Sequence, residues 1–304
     1  MLAIVIPYYN SRFFEKTIHS LASQTDKRFH VYIGDDASPD DPNEVVVKYQ
    51  NEISIHYTRF ASNLGSKSLV KQWERSIGLT QNEEWIMVLG DDDILQGNCV
   101  AKFYENLDEI KGSGSKVVRY ASQYIDENDA LLKGYEPYFH PKTEKSTDSY
   151  FKNFLGESRS SLSEHIFSKK AYESILFYDF PLAWHSDDRA WLEFTEYQTI
   201  FTINEAMVSV RVSKNSITGK KDNVILKNEA TLRFFEFLIS EAYSNFKSKQ
   251  QSVLILEYAH KLKLENKLKS GVVIKLIFKL IKNGSFVSAL KLFRRYFRFR
   301  FLKK

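Results

Sequence analysis

Strand-like and helix-like segments alternate through the first hundred residues, and that order restricts the chain more than any other feature. Residues 2–7 (Leu-Ala-Ile-Val-Ile-Pro) are apolar and β-branched, residues 14–24 set Phe14, Ile18 and Leu21 at helical spacing, and residues 30–33 form a second apolar run that ends in Gly34-Asp35-Asp36. A helix near residues 43–50, a strand at 53–58, a helix at 68–77 and a strand at 85–89 continue the series, which stops at Gly90-Asp91-Asp92-Asp93. Strands joined by crossover helices pair in parallel, so the pattern predicts an α/β fold with a mainly parallel, Rossmann-like sheet flanked by helices.

Farther along, strands are expected at residues 117–120 and 199–203, a polar loop at 142–148, a helix at 95–107, and helices again at 223–247 and 252–270. This organisation suggests one domain over residues 1–215, a helical extension over 216–270 and a basic tail over 271–304. With 304 residues, 43% of them hydrophobic, the chain has enough apolar surface for a core without metal or disulfide staples. The single cysteine, Cys99, excludes an intrachain disulfide framework and a multi-cysteine zinc site. It fits a reducing compartment, and the cytoplasm is the expected location. Residues 1–7 read as a strand rather than a secretory leader, and no apolar run is long enough to cross a bilayer.

In open α/β sheets the ligand crevice lies beyond the carboxyl ends of the strands, which is where this sequence concentrates its polar groups. Three strands end in Pro7-Tyr8-Tyr9-Asn10, Asp35-Asp36-Ala37-Ser38 and Asp91-Asp92-Asp93. No Gly-x-Gly-x-x-Gly follows the first strand and no phosphate loop ends in Gly-Lys-Ser/Thr, which argues against hydride transfer and P-loop chemistry. Three consecutive aspartates repel one another unless a cation, a base or protonation relieves them. A divalent Mg²⁺ or Mn²⁺ is the simplest relief, with helix capping by Asp93 as the plainer alternative. Asp35 and Asp36 either close Asx-type turns or accept hydrogen bonds from a base or ribose, with Tyr8 or Tyr9 flanking a planar ring. Together these features sketch a nucleotide site.

The ordered motifs Ile4-Val5-Ile6-Pro7-Tyr8-Tyr9-Asn10, Ser20-Leu21-Ala22-Ser23-Gln24-Thr25, Asp35-Asp36-Ala37-Ser38, Asn63-Leu64-Gly65 and Val88-Leu89-Gly90-Asp91-Asp92-Asp93 resemble those of family 2 glycosyltransferases of the GT-A fold, bacterial capsule or O-antigen type. The resemblance implies a metal-dependent, inverting transfer from a nucleotide-sugar, UDP-linked, to a hydroxyl of a growing surface glycan or lipid-linked oligosaccharide. By the same resemblance Pro7, Tyr9, Asp35 and Asp36 line the nucleoside pocket, Asp91 meets the ribose and diphosphate, and Asp92, with Asp93, holds the metal. Gly90 departs from the family's Asp-x-Asp-Asp and leaves Asp92 as the principal ligand. Trp184-His185-Ser186-Asp187-Asp188-Arg189-Ala190-Trp191 resembles the segment that opens a helix and presents the general base, which makes Asp187 or Asp188 the base, with His185 secondary. Arg211, ahead of Lys214-Asn215-Ser216-Ile217, and Lys67 are expected at the diphosphate. Two other readings stay open: nucleotidyl transfer, for which Tyr8-Tyr9-Asn10-Ser11-Arg12 is a poor loop, and a non-catalytic membrane-bound scaffold, for which Gly90 is the best support.

Residues 271–304 carry ten Lys or Arg and no acid, so the net charge of +5 belongs to the tail, and the rest of the chain has an excess of five acids. Lys275, Lys279 and Lys282 recur at helical spacing beside a wide apolar face, and Leu290, Phe293, Phe297 and Phe301 lie among basic residues after an Asn283-Gly284 break. This is the pattern of a helix lying on an anionic membrane surface, here the inner face of the plasma membrane. A core-packing or oligomerising helix pair is the alternative, and no nucleic-acid partner is expected because apolar residues are too plentiful.

Overall fold

The computed structural model describes residues 1–213 and 223–301; the polar segment 214–217 and the 215/216 boundary lie outside the described residues. The chain divides into two compact units, Met1–Val224 and Ile225–Lys304.

The first unit runs β1 (Leu2–Tyr8), α1 (Phe14–Ala22), β2 (Phe29–Asp35), α2 (Asn43–Tyr49), β3 (Ile55–Arg59), α3 (Leu69–Ile77), β4 (Trp85–Val88), β5 (Ile94–Leu95), α4 (Cys99–Glu105), α5 (Leu107–Gly112), β6 (Val117–Ile125), β7 (Thr143–Lys145), α6 (Ser146–Phe154), β8 (His165–Ser168), α7 (Lys169–Ile175), α8 (Ser186–Phe194) and β9 (Thr199–Arg211). The strands form one sheet in the order β3-β2-β1-β4-β8-β6-β9-β5, with β7 also on β9. This is the mixed α/β architecture expected, and β3, β2, β1 and β4 are parallel as the alternation requires. Antiparallel β8 separates them from the parallel pair β6 and β9.

β1 is apolar on both faces because both are covered. Leu2, Ile4, Ile6 and Tyr8 pack with Phe14, Ile18 and Leu21 of α1, whereas Ala3 and Val5 enter the opposite core with Val70, Phe167 and Phe194. Ser68 starts α3 by accepting the Lys71 N–H at 3.0 Å. Register then sets the strand ends side by side: Tyr8 is opposite Asp35, and the Leu89 N–H donates to the Val5 carbonyl at 2.9 Å. β5 pairs with Val208 and Ser209, which brings the acids before it against the end of β9.

Two expected elements are corrected. Residues 142–148 are not a loop; they form β7 and the start of α6, because Glu144 turns inward to pair with the buried Arg119 of β6 at 2.6 Å. The helix expected over 95–107 begins only at Cys99 and breaks at Asn106 into α4 and α5.

The second unit consists of α9 (Val224–Ser240), α10 (Ser248–Leu264), α11 (Ser270–Lys282) and α12 (Phe286–Phe301), so the extension and tail distinguished in the sequence make one compact body. Gly284 separates α11 from α12 at φ +79°, a conformation glycine adopts without strain. Val273, Leu276 and Leu280 of α11 and Ala289 and Leu292 of α12 are buried. A second apolar row on each helix is exposed: Ile274, Phe278 and Ile281, then Phe286, Leu290, Phe293 and Phe297. Among the described residues no helix is long and apolar enough to cross a membrane.

Candidate active site

The carboxyl ends of β1, β2 and β4 open into a cleft of about 590 Å³ whose lining includes Pro7, Tyr9, Asp36, Gly65, Asp91 and Asp92. Asp35, one residue earlier than Asp36, points away from it. Its buried carboxylate accepts hydrogen bonds from the Ser38 N–H (2.8 Å), the Tyr57 hydroxyl (2.6 Å) and Arg59 (3.0 Å), so it organises the loop after β2 rather than the ligand surface. Asp36 does reach the cleft wall. Its oxygens accept the Leu64 and Gly65 N–H groups at 2.6 and 2.8 Å, and Arg75 pairs with the same carboxylate. A Cβ on Gly65 would lie 2.6 Å from Asp36 Oδ2, which is why that turn takes glycine. Tyr9 is 46% exposed on the rim, placed to cover a flat ligand.

The three acids after β4 have three different situations. Asp91 Oδ2 accepts the N–H groups of Tyr9 and Asn10 at 2.9 and 2.8 Å, which ties the loop after β1 to the loop after β4; burial nevertheless raises its pKa to about 6. Asp93 is buried behind the cleft, where its Oδ1 accepts the Arg211 N–H at 2.8 Å; of the two expected metal ligands it is the one turned away. Asp92 faces the cleft, and among the described residues no side chain pairs with its carboxylate. Burial and the neighbouring charges of Asp93 and Asp91 push its pKa up to about 8. Gly90 stands where the resemblance leads one to expect an acid because there is no room: a Cβ there would lie 2.8 Å from Asp93 Oδ2 and 3.1 Å from Asp92 Oδ1.

Arg211, expected at the diphosphate, lies buried outside the cleft lining. Its guanidinium is buried, with Nε donating to the Asp92 carbonyl (2.9 Å), one terminal nitrogen donating to the Asp126 carbonyl (2.6 Å), the other in an ion pair with Asp129 (2.6 Å), and its face over the Phe13 ring at 4.2 Å. It staples β9 to the acidic loop and does not line the cleft. Lys67 is exposed next to Ser66, a rim residue, without lining the cleft itself.

Asp187 and Asp188 occupy the first turn of α8. The loop leading into it holds Leu182, Ala183 and His185 at positive φ (60°, 54° and 72°), backbone strain of the kind that gathers at functional sites. Leu182 lines the cleft; neither aspartate does. His185 Nδ1 is 2.8 Å from Asp188 Oδ2 and so orients that carboxylate, whereas no side chain among the described residues is hydrogen bonded to Asp187. Burial, Asp188 and Glu164 raise the Asp187 pKa well above the ordinary range. Trp191 is buried against His165, their rings stacked at 4.3 Å, and so belongs to the core.

Sequence reasoning missed Trp73, Leu162 and Ser163 in the cleft lining and Glu164 behind it. Glu164 is buried with a pKa of about 7, raised first by burial, and it feels both Asp93 and Asp187. An acid directly before the apolar run His165-Ile166-Phe167 was the available signal.

Residues 3–172 match the model of glycosyl transferase family 2. The chain is 24% identical over 205 residues to the poly(ribitol-phosphate) beta-N-acetylglucosaminyltransferase TarS of Staphylococcus aureus (strain Mu50), over 56% of this chain and 34% of TarS. It is 33% identical over 106 residues to the uncharacterized glycosyltransferase MG060 of Mycoplasma genitalium, over 34% of this chain and 35% of that protein. The chain thus matches about a third of the length of these curated relatives. Residues 1–349 of S. aureus TarS in complex with UDP-GlcNAc superpose with a TM-score of 0.60 at 14% identity, covering 95% of this chain and 79% of that one. GalNAc-T7 with UDP, GalNAc and Mn²⁺ superposes with a TM-score of 0.54 at 8% identity, covering 86% and 56%. At these identities the likeness establishes a shared fold, GT-A.

Proposed function

The chain belongs to glycosyl transferase family 2, and from that premise we propose that it transfers a sugar from a UDP-sugar to a hydroxyl of a bacterial surface glycan or lipid-linked oligosaccharide, with inversion at the anomeric carbon. The single observation that carries the reading is Asp92: a carboxylate at a strand end, facing the cleft, without a basic partner among the described residues, beside two acids already committed to the backbone. Pro7, Tyr9 and the wall held by Asp36 take the nucleoside; the complexes of TarS with UDP-GlcNAc and of GalNAc-T7 with UDP support a uridine donor here.

A divalent cation suits this donor set in one way only. Among the described residues no three ligating side chains converge, so Mg²⁺ or Mn²⁺ would be held by Asp92 together with the donor's own phosphates, a common mode for Mg²⁺. When bound, such an ion supplies the positive charge that a departing diphosphate needs. The chain's own residues do the remainder: Asp91 fixes the loop after β1 and so the nucleoside wall, and a carboxylate of α8 takes the acceptor proton as its oxygen attacks. We assign that base to Asp187. No side chain among the described residues is hydrogen bonded to its carboxylate, whereas Asp188 is occupied with His185. The exposed rows of α11 and α12, bordered by basic residues, keep the enzyme at an anionic membrane where such acceptors gather.

The test is release of UDP from a panel of UDP-sugars, with Mn²⁺ and with chelator. Asp92→Asn is expected to lose about 100-fold or more in turnover, and chelator to remove the wild-type activity. Full activity in both would remove Asp92 and the ion from the reaction.

A further inference from the structure

The second unit holds a cavity of about 700 Å³ between α10 and α12. Its lining has two characters. Leu256, Leu268 and Leu292 are apolar; Lys263, Lys291, Arg295 and Arg298 are basic. The three basic residues of α12 stand four and three positions apart, so they share one helix face, and Lys263 reaches across from α10 with its ammonium 5.2 Å from the centre of the Phe299 ring. The acid in the lining, Glu257, is already paired with Lys261 at 3.6 Å. Among the described residues none of the four cations has an ion pair. Lys291, Arg295 and Arg298 are exposed at the mouth of the cavity and Lys263 is half-buried, so four like charges face one opening, and an anion seated there meets all of them together.

The guanidinium fork of Arg295 and Arg298 fits two oxygens of a phosphate at once, and the lysines add point charges at its edge. An inorganic anion has no use for the leucine side of the cavity, whereas an amphiphile does. We propose that this cavity binds a phosphate group carried on a hydrocarbon chain, with the phosphate among Lys263, Lys291, Arg295 and Arg298 and the chain over Leu256, Leu268 and Leu292. The proposal is independent of the transfer chemistry, since the cleft of the first unit contributes nothing to it.

The experiment is calorimetric titration of the full chain with short-chain, monomeric dihexanoyl phosphatidic acid, with dihexanoyl phosphatidylcholine and with inorganic phosphate. Phosphatidic acid is expected to bind, and Arg295→Gln/Arg298→Gln to weaken it by about tenfold or more, while Arg295→Lys/Arg298→Lys, which keeps the charge and loses the fork, restores only part of the loss. Phe293→Ser/Phe297→Ser, which changes the exposed row, is expected to leave this binding unchanged. Lys263→Gln/Lys291→Gln is an independent second variant that repeats the loss should the arginine pair fold poorly, and the helical circular dichroism and its thermal melt report whether the second unit is intact in each variant. Equal affinity for phosphatidylcholine, or unchanged affinity in both glutamine variants, would overturn the site. Inorganic phosphate binding as tightly as phosphatidic acid would overturn the hydrocarbon half of the assignment and leave a free phosphate as the ligand.

Discussion

Asp92 carries a pKa of about 8 against an ordinary carboxylate value of 3.8, because burial and the charges of Asp93 and Asp91 disfavour its ionised form. Between those two values the folded chain holds a proton that the unfolded chain has released, so this residue costs the fold stability progressively as pH rises through the window. Asparagine removes the charge without changing the shape. Asp92→Asn is therefore expected to raise Tm by several degrees at pH 8 and by much less at pH 5, where the native carboxyl is itself protonated. Scanning calorimetry at the two pH values checks this, and an equal or lower Tm at pH 8 would show that the charge is already neutralised. Mn²⁺ with UDP should raise the wild-type Tm more than that of the variant, since ligand that binds only the folded state stabilises it. The acids at the strand ends were readable from the sequence as a group, but their division of labour was not. Asp36 takes its partners from a turn 28 residues on and Asp93 takes its partner 118 residues on, so only the packed fold tells a wall-building carboxylate from a ligand-facing one.

The turn after β3 depends on one side chain of the loop after β2. Asp36 accepts the Leu64 and Gly65 N–H groups and pairs with Arg75, and Asn63, Gly65 and Ser66 of that turn form part of the cleft wall. Asp36→Ala leaves two amides without acceptors and the arginine with the Gln72 side-chain oxygen and the Ser62 carbonyl, the latter at 2.9 Å. Stability should fall by about 1–3 kcal/mol, the range for losing a charged acceptor of partly buried donors. The donor KM should rise more than turnover falls, because in the proposed function this wall binds the nucleoside and does not touch the reacting atoms. Urea unfolding and steady-state kinetics together test it; a KM left unchanged would detach the turn from donor binding. The same dependence on distant partners explains which elements were readable. β1 to β4 and their helices follow from local periodicity, whereas β7 is three residues long and exists because Glu144 meets Arg119 of β6, a pairing invisible to any window of neighbouring residues. Arg211 likewise reads as a loop cation from its neighbours and becomes a buried staple only once β5 pairs with β9.

Taken as a whole, the chain separates acid from base: the acidic cleft belongs to one compact unit and the basic helices to the other. The ten basic residues without an acid were plain in the sequence, as was the helical spacing, but whether the apolar residues faced a core or solvent was not, and the structure divides them between both. Val273, Leu276 and Leu280 hold α11 in place while Ile274, Phe278 and Ile281 remain outside, and α12 repeats the division. Charge and apolar burial contribute to membrane affinity in ways that salt distinguishes. A basic residue near anionic lipid contributes about 1 kcal/mol and is screened, whereas a phenylalanine taken out of water contributes about 1.5–3 kcal/mol that salt does not screen. On phosphatidylglycerol vesicles at low salt, Lys275→Gln/Lys282→Gln and Phe293→Ser/Phe297→Ser should therefore both weaken co-sedimentation. At high salt the lysine variant should match wild type, while the phenylalanine variant remains weaker by about tenfold or more. Both substitutions lie outside the cleft, so UDP release in solution should stay at the wild-type rate. A phenylalanine variant that sediments like wild type at every salt concentration would take the exposed rows out of membrane contact and leave them to a second protein surface.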